Sequence, residues 1–178
     1  TNLRPCKAYP GNRLNYRDDI DIVVFRENTE GMYSGVEWFP LPESVYEAMC
    51  DNPKMKKWKD KGLENVALST RIMSRQGCES IIRQAFEYAS THGRSSVTLV
   101  EKPNVLRETG GLMTRIARDV AKEYDIPLWE ANIDAITMWL IKNPQDYDIL
   151  VAENMFGDIV SDLCAGLIGG LGYASAAN

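Results

Sequence analysis

Asp158 and Asp162 stand four residues apart in the segment Glu153-Asn154-Met155-Phe156-Gly157-Asp158-Ile159-Val160-Ser161-Asp162. On a helix that spacing puts both carboxylates on one face, about one turn apart. Like charges so placed repel each other by a few tenths of a kcal/mol, a cost that a bound cation offsets. Hard cations such as Mg²⁺ take carboxylate oxygens and keep several waters. The helix is otherwise apolar, through Met155, Phe156, Ile159, Val160, Leu163, Cys164, Leu167 and Ile168. It follows the run Tyr147-Asp148-Ile149-Leu150-Val151-Ala152, which reads as a buried strand. Ligands of α/β proteins gather where strands end and helices begin. The plain alternative is a solvated helix face, the usual fate of acidic residues.

Four further stretches carry reactive side chains, and each reads as a strand end. They are Asn2-Leu3-Arg4-Pro5, the segment from Phe25 to Gly35, the segment from Val100 to Leu106, and Asn132-Ile133-Asp134-Ala135. With the Asp pair they supply two guanidinium groups (Arg4, Arg26), a phenol (Tyr33), an ammonium (Lys102) and three carboxylates. Arginine forks match carboxylates bidentately. Tyrosine and lysine serve as acid and base when neighbouring positive charge or burial lowers their pKa. Aspartates hold a divalent cation. The set describes a site for a small polycarboxylate bound to a metal, with proton transfer in two places. Each residue also has a structural reading: surface ion pairs for Arg4 and Arg26, cover for an apolar edge for Tyr33, a solvated strand terminus for Lys102, and a helix N-cap for Asp134.

The elements that position these groups alternate. A strand is expected at 21–26, a half-exposed antiparallel strand at 65–70, and a helix capped by Ser74 with Cys78, Ile81, Ile82, Ala85, Phe86 and Ala89 on one face. Then come a strand at 96–100, a helix at about 109–124, a strand at 126–131, a helix at 135–141, the strand at 147–152 and the helix of the Asp pair. Alternation of this kind means an α/β fold with a largely parallel sheet flanked by helices. Residues 36–64 break the pattern with Trp38, Pro40, Pro42, Pro53, Trp58 and the basic run from Lys54 to Lys61, and read as an excursion from the main fold.

The net charge of −5 argues against a nucleic-acid partner, and no apolar stretch is long enough for a membrane span. Cys6, Cys50, Cys78 and Cys164 form no C-x-x-C pair, which argues against a zinc site or a disulfide framework and favours a reducing cytoplasm. His92 precedes Gly93 at an expected helix end and reads as structural. The chain opens on Thr1, and 171–178 carries no polar tail or cap, so both ends read as cut from a longer chain.

The motifs Arg-Glu-Asn-Thr-Glu-Gly-x-Tyr at 26–33, Lys-x-Asn-Val-Leu at 102–106 and Glu-Asn-x-Phe-Gly-Asp-Ile-x-Ser-Asp at 153–162 resemble those of the isocitrate and 3-isopropylmalate dehydrogenases, the metal-dependent β-decarboxylating dehydrogenases. Order and spacing match from Asn2 to Asn178, loosely over 36–64. The resemblance implies roles. Arg4 and Arg26 would bind substrate carboxylates. Tyr33 would protonate the carbon left after CO₂ departs. Lys102, from the other subunit of a homodimer with a shared active site, would move the proton of the substrate hydroxyl. Asp134, from the same partner, would complete a Mg²⁺ or Mn²⁺ shell with Asp158 and Asp162. Asn104 would lie near substrate and the nicotinamide of NAD or NADP. Residues 1–35 and 65–178 would form the family's small α/β domain and 36–64 a clasp for dimer contact. The large cofactor-binding domain would lie outside this chain, so these residues alone are not expected to turn over. The polar run Glu27-Asn28-Thr29-Glu30 resembles isocitrate, homoisocitrate and tartrate members more than isopropylmalate ones. A non-catalytic regulatory or dimerisation subunit is the competing reading; retention of every reactive residue weighs against it.

Overall fold

Continuous apolar runs form the middle of the sheet, because parallel strands are covered on both faces. The structure, a computed structural model, describes residues 1–174 and Ala177; Ser175, Ala176 and Asn178, part of the stretch read as a cut end, lie outside the described residues. Strands β1 (Asn2–Lys7), β2 (Asp21–Arg26), β5 (Val97–Glu101), β6 (Leu128–Asn132) and β7 (Ile149–Ala152) make one sheet in the order β1-β2-β7-β5-β6. The last four strands in that order run parallel, and β1 runs antiparallel to β2 at the edge.

The period of two along each strand sorts side chains to opposite faces. Val23, Phe25, Val97, Leu99, Ile149 and Val151 pack with α3 (Arg75–Thr91) and α4 (Thr109–Ala121). Val24, Val100, Leu150 and Ala152 pack with α5 (Ile133–Lys142) and α6 (Asn154–Leu167) on the other face. The expected α3 face is buried in full: Cys78, Ile81, Ile82, Ala85, Phe86 and Ala89. Each large side chain buried there contributes about 1.5–3 kcal/mol. Ser74 caps α3 by accepting from the Gly77 N–H at 2.9 Å, and His92 takes the helix's C-cap. Burial pushes the Cys78 thiol up to about 12, so it behaves as a core residue.

The excursion after β2 is a small unit of its own. Strand β3 (Glu37–Trp38) pairs with β4 (Leu68–Ser69), and between them lie α1 (Glu43–Met49), α2 (Pro53–Lys59) and a 3-10 turn at Leu63–Asn65. The half-exposed strand expected at 65–70 is therefore only two residues long, since Asn65 closes the 3-10 turn and Val66 follows as its cap. The lysines of the basic run are exposed, with Lys57 and Lys61 5.0 and 5.6 Å from the Trp58 ring.

Element boundaries moved by one to three residues elsewhere. The helix expected at 109–124 ends at Ala121, and the one expected at 135–141 begins at Ile133. The latter shift removes Asp134 as an N-cap: Asn132 holds that position, and Asp134 lies in the first turn, where a carboxylate suits the helix dipole. No described helix is long and apolar enough to cross a membrane.

Candidate active site

The C-terminal ends of β2, β7, β5 and β6 lie along one edge of the sheet, and the residues that follow them supply the reactive groups. Arg26 is the last residue of β2, Glu153 and α6 follow β7, Lys102 follows β5, and Asp134 follows β6. Arg4 arrives differently. It was expected at a strand end but is the third residue of β1, and the antiparallel register, Asn2 opposite Arg26 and Arg4 opposite Val24, carries it to the same edge.

Arg26 is buried, and its guanidinium is fixed on α6. Nε and Nη2 donate to Asn154 Oδ1 at 3.0 and 2.7 Å, and Nη1 donates to Asp158 Oδ1. Gly157 makes room for its stem: a Cβ there would stand 2.7 Å from Arg26 Cγ and 2.9 Å from Arg26 Cβ. Gly157→Ala is therefore expected to lower stability by about 1–3 kcal/mol, the range for overpacking, by displacing the Arg26 stem. Urea unfolding checks this; an unchanged unfolding midpoint would contradict the clash.

Arg4 completes the arrangement from β1. Its Nε donates to Asn2 Oδ1 at 2.6 Å and its Nη1 to Ser161 Oγ at 2.6 Å and Asp162 Oδ1 at 3.2 Å, with Asp158 Oδ1 at 3.5 Å. Tyr33, an exposed side chain, donates its hydroxyl to Asp158 Oδ2 at 2.9 Å. Its ring centroid lies 5.6 Å from the Arg26 guanidinium carbon. The lowered phenol value expected from the sequence is not found: the bond given to Asp158 pushes Tyr33 above its usual range, so it keeps its proton. Asp158 thus ties two guanidiniums and a phenol together. The repulsion between Asp158 and Asp162, for which the sequence suggested a metal cation, is met in this arrangement by Arg4 bridging both carboxylates and Arg26 holding one.

Lys102 and Asp134 form a second group. Lys102 Nζ donates to Asp134 Oδ1, and that bond holds the Asp134 carboxyl below the usual carboxylate range. Strand β7 separates β5, which precedes Lys102, from β2, which ends in Arg26. Among the described residues no three His, Cys, Asp or Glu side chains converge as metal ligands, so Asp134 does not join Asp158 and Asp162 within one chain. Asn104 is exposed and lines an open cleft with Leu99, Glu101, Pro103, Ala131 and Asn132.

Residue types and spacing left several participants without a role. Asn154 and Ser161 hold the two arginines, and a signal was available: Asn154, Asp158 and Ser161 share one face at i, i+4 and i+7. A buried cluster of Arg71, Glu101 and Glu153 had no such local signal. Burial is the largest influence on Glu101 and raises its carboxyl above the usual 4.5 despite the Arg71 guanidinium beside it. A raised value in the folded protein means stability that is full below about pH 4.5 and lost as pH rises through the folded value. The melting temperature of the unsubstituted protein relative to Glu101→Gln is thus expected to be highest at low pH and to fall above pH 4.5. A difference that grows with pH would contradict the burial argument.

The family model for isocitrate/isopropylmalate dehydrogenase matches residues 1–178. The chain is 40% identical over 178 residues to the NAD isocitrate dehydrogenase catalytic subunit 5, mitochondrial, of Arabidopsis thaliana, covering 99% of this chain and 41% of that protein. It is also 40% identical to the chloroplastic 3-isopropylmalate dehydrogenase of Solanum tuberosum, covering 99% and 43%. Its fold superposes on the crystal structure of isocitrate dehydrogenase from Methylococcus capsulatus with a TM-score of 0.84 and 41% identity, covering 99% of this chain and 47% of that one. The chain therefore spans less than half the length of these relatives. With Arg26, Tyr33 and Asp158 of that centre drawn from the same motifs that carry the resemblance, the chain belongs to the isocitrate/isopropylmalate dehydrogenase family.

Proposed function

We propose that the chain carries the substrate and metal side of an enzyme that oxidatively decarboxylates a 2-hydroxy polycarboxylic acid, isocitrate to 2-oxoglutarate, with NAD or NADP. The observation that carries this reading is the meeting of Arg4, Arg26 and Tyr33 on Asp158, with Asp162 one turn away. Homoisocitrate, tartrate and 3-isopropylmalate are the rival substrates. The 27–30 segment resembles that of isocitrate, homoisocitrate and tartrate members rather than the less polar loop of isopropylmalate ones, which weighs against the isopropyl-bearing acid.

Asp158 and Asp162 fit Mg²⁺ or Mn²⁺, which take one or two carboxylates and keep waters, and the Asp162 side chain is 56% exposed to supply that access. Such a cation, when bound, supplies Lewis-acid polarisation of the substrate hydroxyl. The chain's own residues do the rest. Arg4 and Arg26 exchange Asp158 and Asp162 for substrate carboxylates, and their fixed stems orient the acid. Lys102 handles the hydroxyl proton during oxidation. Tyr33, held protonated, delivers a proton to the carbon freed of CO₂. Asn104 lies where substrate and nicotinamide meet.

A homodimer brings the two groups together: Lys102 and Asp134 of one subunit serve the Arg4–Asp158 centre of the other. The exposed Met138, Trp139 and Ile141 give α5 an apolar face for a partner. The clasp at 36–64 adds contact, and 1–35 with 65–178 forms the small α/β domain. Four free cysteines, three of them buried, suit a reducing compartment such as the cytoplasm.

Steady-state turnover of the natural chain carrying these residues tests the reading, with Mn²⁺, either cofactor and each of the four acids. Cofactor reduction fastest with isocitrate is the expected result. Preference for another acid would move the substrate, and no reduction with any would refute the reaction.

A further inference from the structure

Three charged side chains are buried together behind the substrate-facing groups. The Arg71 side chain is 6% exposed, that of Glu101 2% and that of Glu153 1%. Arg71 Nη2 donates to Glu101 Oε1 and lies 3.6 Å from Glu153 Oε1, and Nη1 donates to Thr109 Oγ1 at 3.0 Å. The guanidinium carbon lies 5.1 Å from the Phe156 ring centroid.

Two of the three groups that Arg71 meets, Glu101 and Glu153, begin a segment of the site. Glu101 Oε2 accepts from the Lys102 backbone N–H at 2.7 Å and so fixes the turn that carries Lys102 and Asn104. Glu153 caps α6, accepting from the Phe156 N–H at 2.8 Å, and α6 carries Asn154, Asp158, Ser161 and Asp162. Thr109 is the first residue of α4. The neighbour of Arg71, Ile72, pairs with Gly31 in the loop that carries Tyr33, the Gly31 N–H donating to the Ile72 carbonyl at 2.8 Å. Gly31 is required there: its φ is +84°, and a Cβ would collide with Glu153 Oε2.

Stability alone does not explain such a cluster. Buried ion pairs are often matched or bettered by apolar residues of similar volume. This one carries two carboxylates to one guanidinium, and Arg71 Nε and Glu153 Oε2 meet no hydrogen-bond partner among the described residues. Each unpaired buried group carries a desolvation cost that no hydrogen bond offsets.

We propose that Arg71 is a positioning residue. A single guanidinium, through Glu101 and Glu153, fixes the start of the Lys102 turn, which serves the partner's centre, and the start of the helix that carries Asp158 and Asp162 in its own. It touches no reacting group; it acts through the residues it holds. This inference rests on the proposed function.

The test uses Arg71→Lys, Arg71→Met and Thr109→Val in the natural chain carrying these residues. Turnover per folded molecule, KM for the acid, Mn²⁺ affinity and thermal unfolding are read together. The kcat of both Arg71 variants is expected to fall about 10–100-fold, the usual effect of losing a partner that orients functional groups. KM for the acid is expected to move less than about 3-fold, because Arg4 and Arg26 remain. Arg71→Lys should recover stability without recovering rate, since one ammonium cannot span both carboxylates and Thr109. Thr109→Val, which removes one bond only, should show a smaller fall in kcat and carries the test if Arg71→Met does not fold. Lower stability with kcat per folded molecule unchanged would overturn the inference while leaving the proposed function standing. No turnover in the unsubstituted chain would overturn both.

Discussion

Asp158→Asn is expected to abolish tight binding of Mn²⁺ while leaving the chain folded. The loss should be at least the roughly 10–100-fold seen when a mere supporting partner of a metal site is removed. Asp158 is also where Arg4, Arg26 and Tyr33 meet, so its charge has a second role. Removing one member of a fully buried pair costs about 3–5 kcal/mol. The Asp158 side chain is 31% exposed and Arg26 keeps both bonds to Asn154, so a cost of about 1–2 kcal/mol is expected here. Asp162→Asn separates the two roles. Its side chain is 56% exposed and pairs only with Arg4 among the described residues, so Mn²⁺ affinity should fall with almost no change in unfolding. Electron paramagnetic resonance of free and bound Mn²⁺, with urea unfolding of each variant, reads both effects. Unchanged Mn²⁺ affinity in Asp158→Asn would remove the metal from this pair.

Tyr33→Phe is expected to lower kcat by about 10²–10⁴-fold, the contribution of a positioned general acid. The fold should be untouched, because the side chain is 57% exposed and the ring remains. KM should change little, since the arginines proposed to hold the acid do not depend on the hydroxyl. The direction of the Tyr33 shift adds a pH signature. The phenol, which donates a hydrogen bond to Asp158, is held above its usual value near 10, so it stays protonated through neutral pH. The alkaline fall of the rate in the unsubstituted enzyme should lose any Tyr33 component in the variant. A Tyr33→Phe enzyme with normal kcat would assign carbon protonation to another group.

The sequence disclosed the parts of this fold that obey local rules. Strands β2, β5 and β7 are continuous apolar runs because helices cover both faces, and α3 shows its buried face at helical spacing. Strand β1 hides because Arg4, Pro5 and Lys7 give it no apolar pattern. Proline is tolerated in an edge strand, and β1 pairs on one side with β2 and on the other only through a single bridge from Leu3 to Ala177 among the described residues. Its antiparallel register is what delivers Arg4, so the residue was visible but its route to the site was not. The reactive groups were legible as types at strand ends, yet their grouping was not. Spacing says nothing about Arg4 bridging Asp158 and Asp162, or about Lys102 turning to Asp134. The Arg71 cluster was least legible of all. Glu101 lies thirty residues from Arg71, and no helical or strand period connects them.

The most direct test of the central claim is calorimetric titration of isocitrate into the natural chain carrying these residues, with and without Mn²⁺, repeated for Arg26→Met. Arg26 is the guanidinium that substrate and Asp158 share in this account. Saturable binding that needs Mn²⁺ and disappears in Arg26→Met is the predicted result. Binding that is equally tight without the metal, or that survives the loss of Arg26, would contradict the account and place the acid elsewhere.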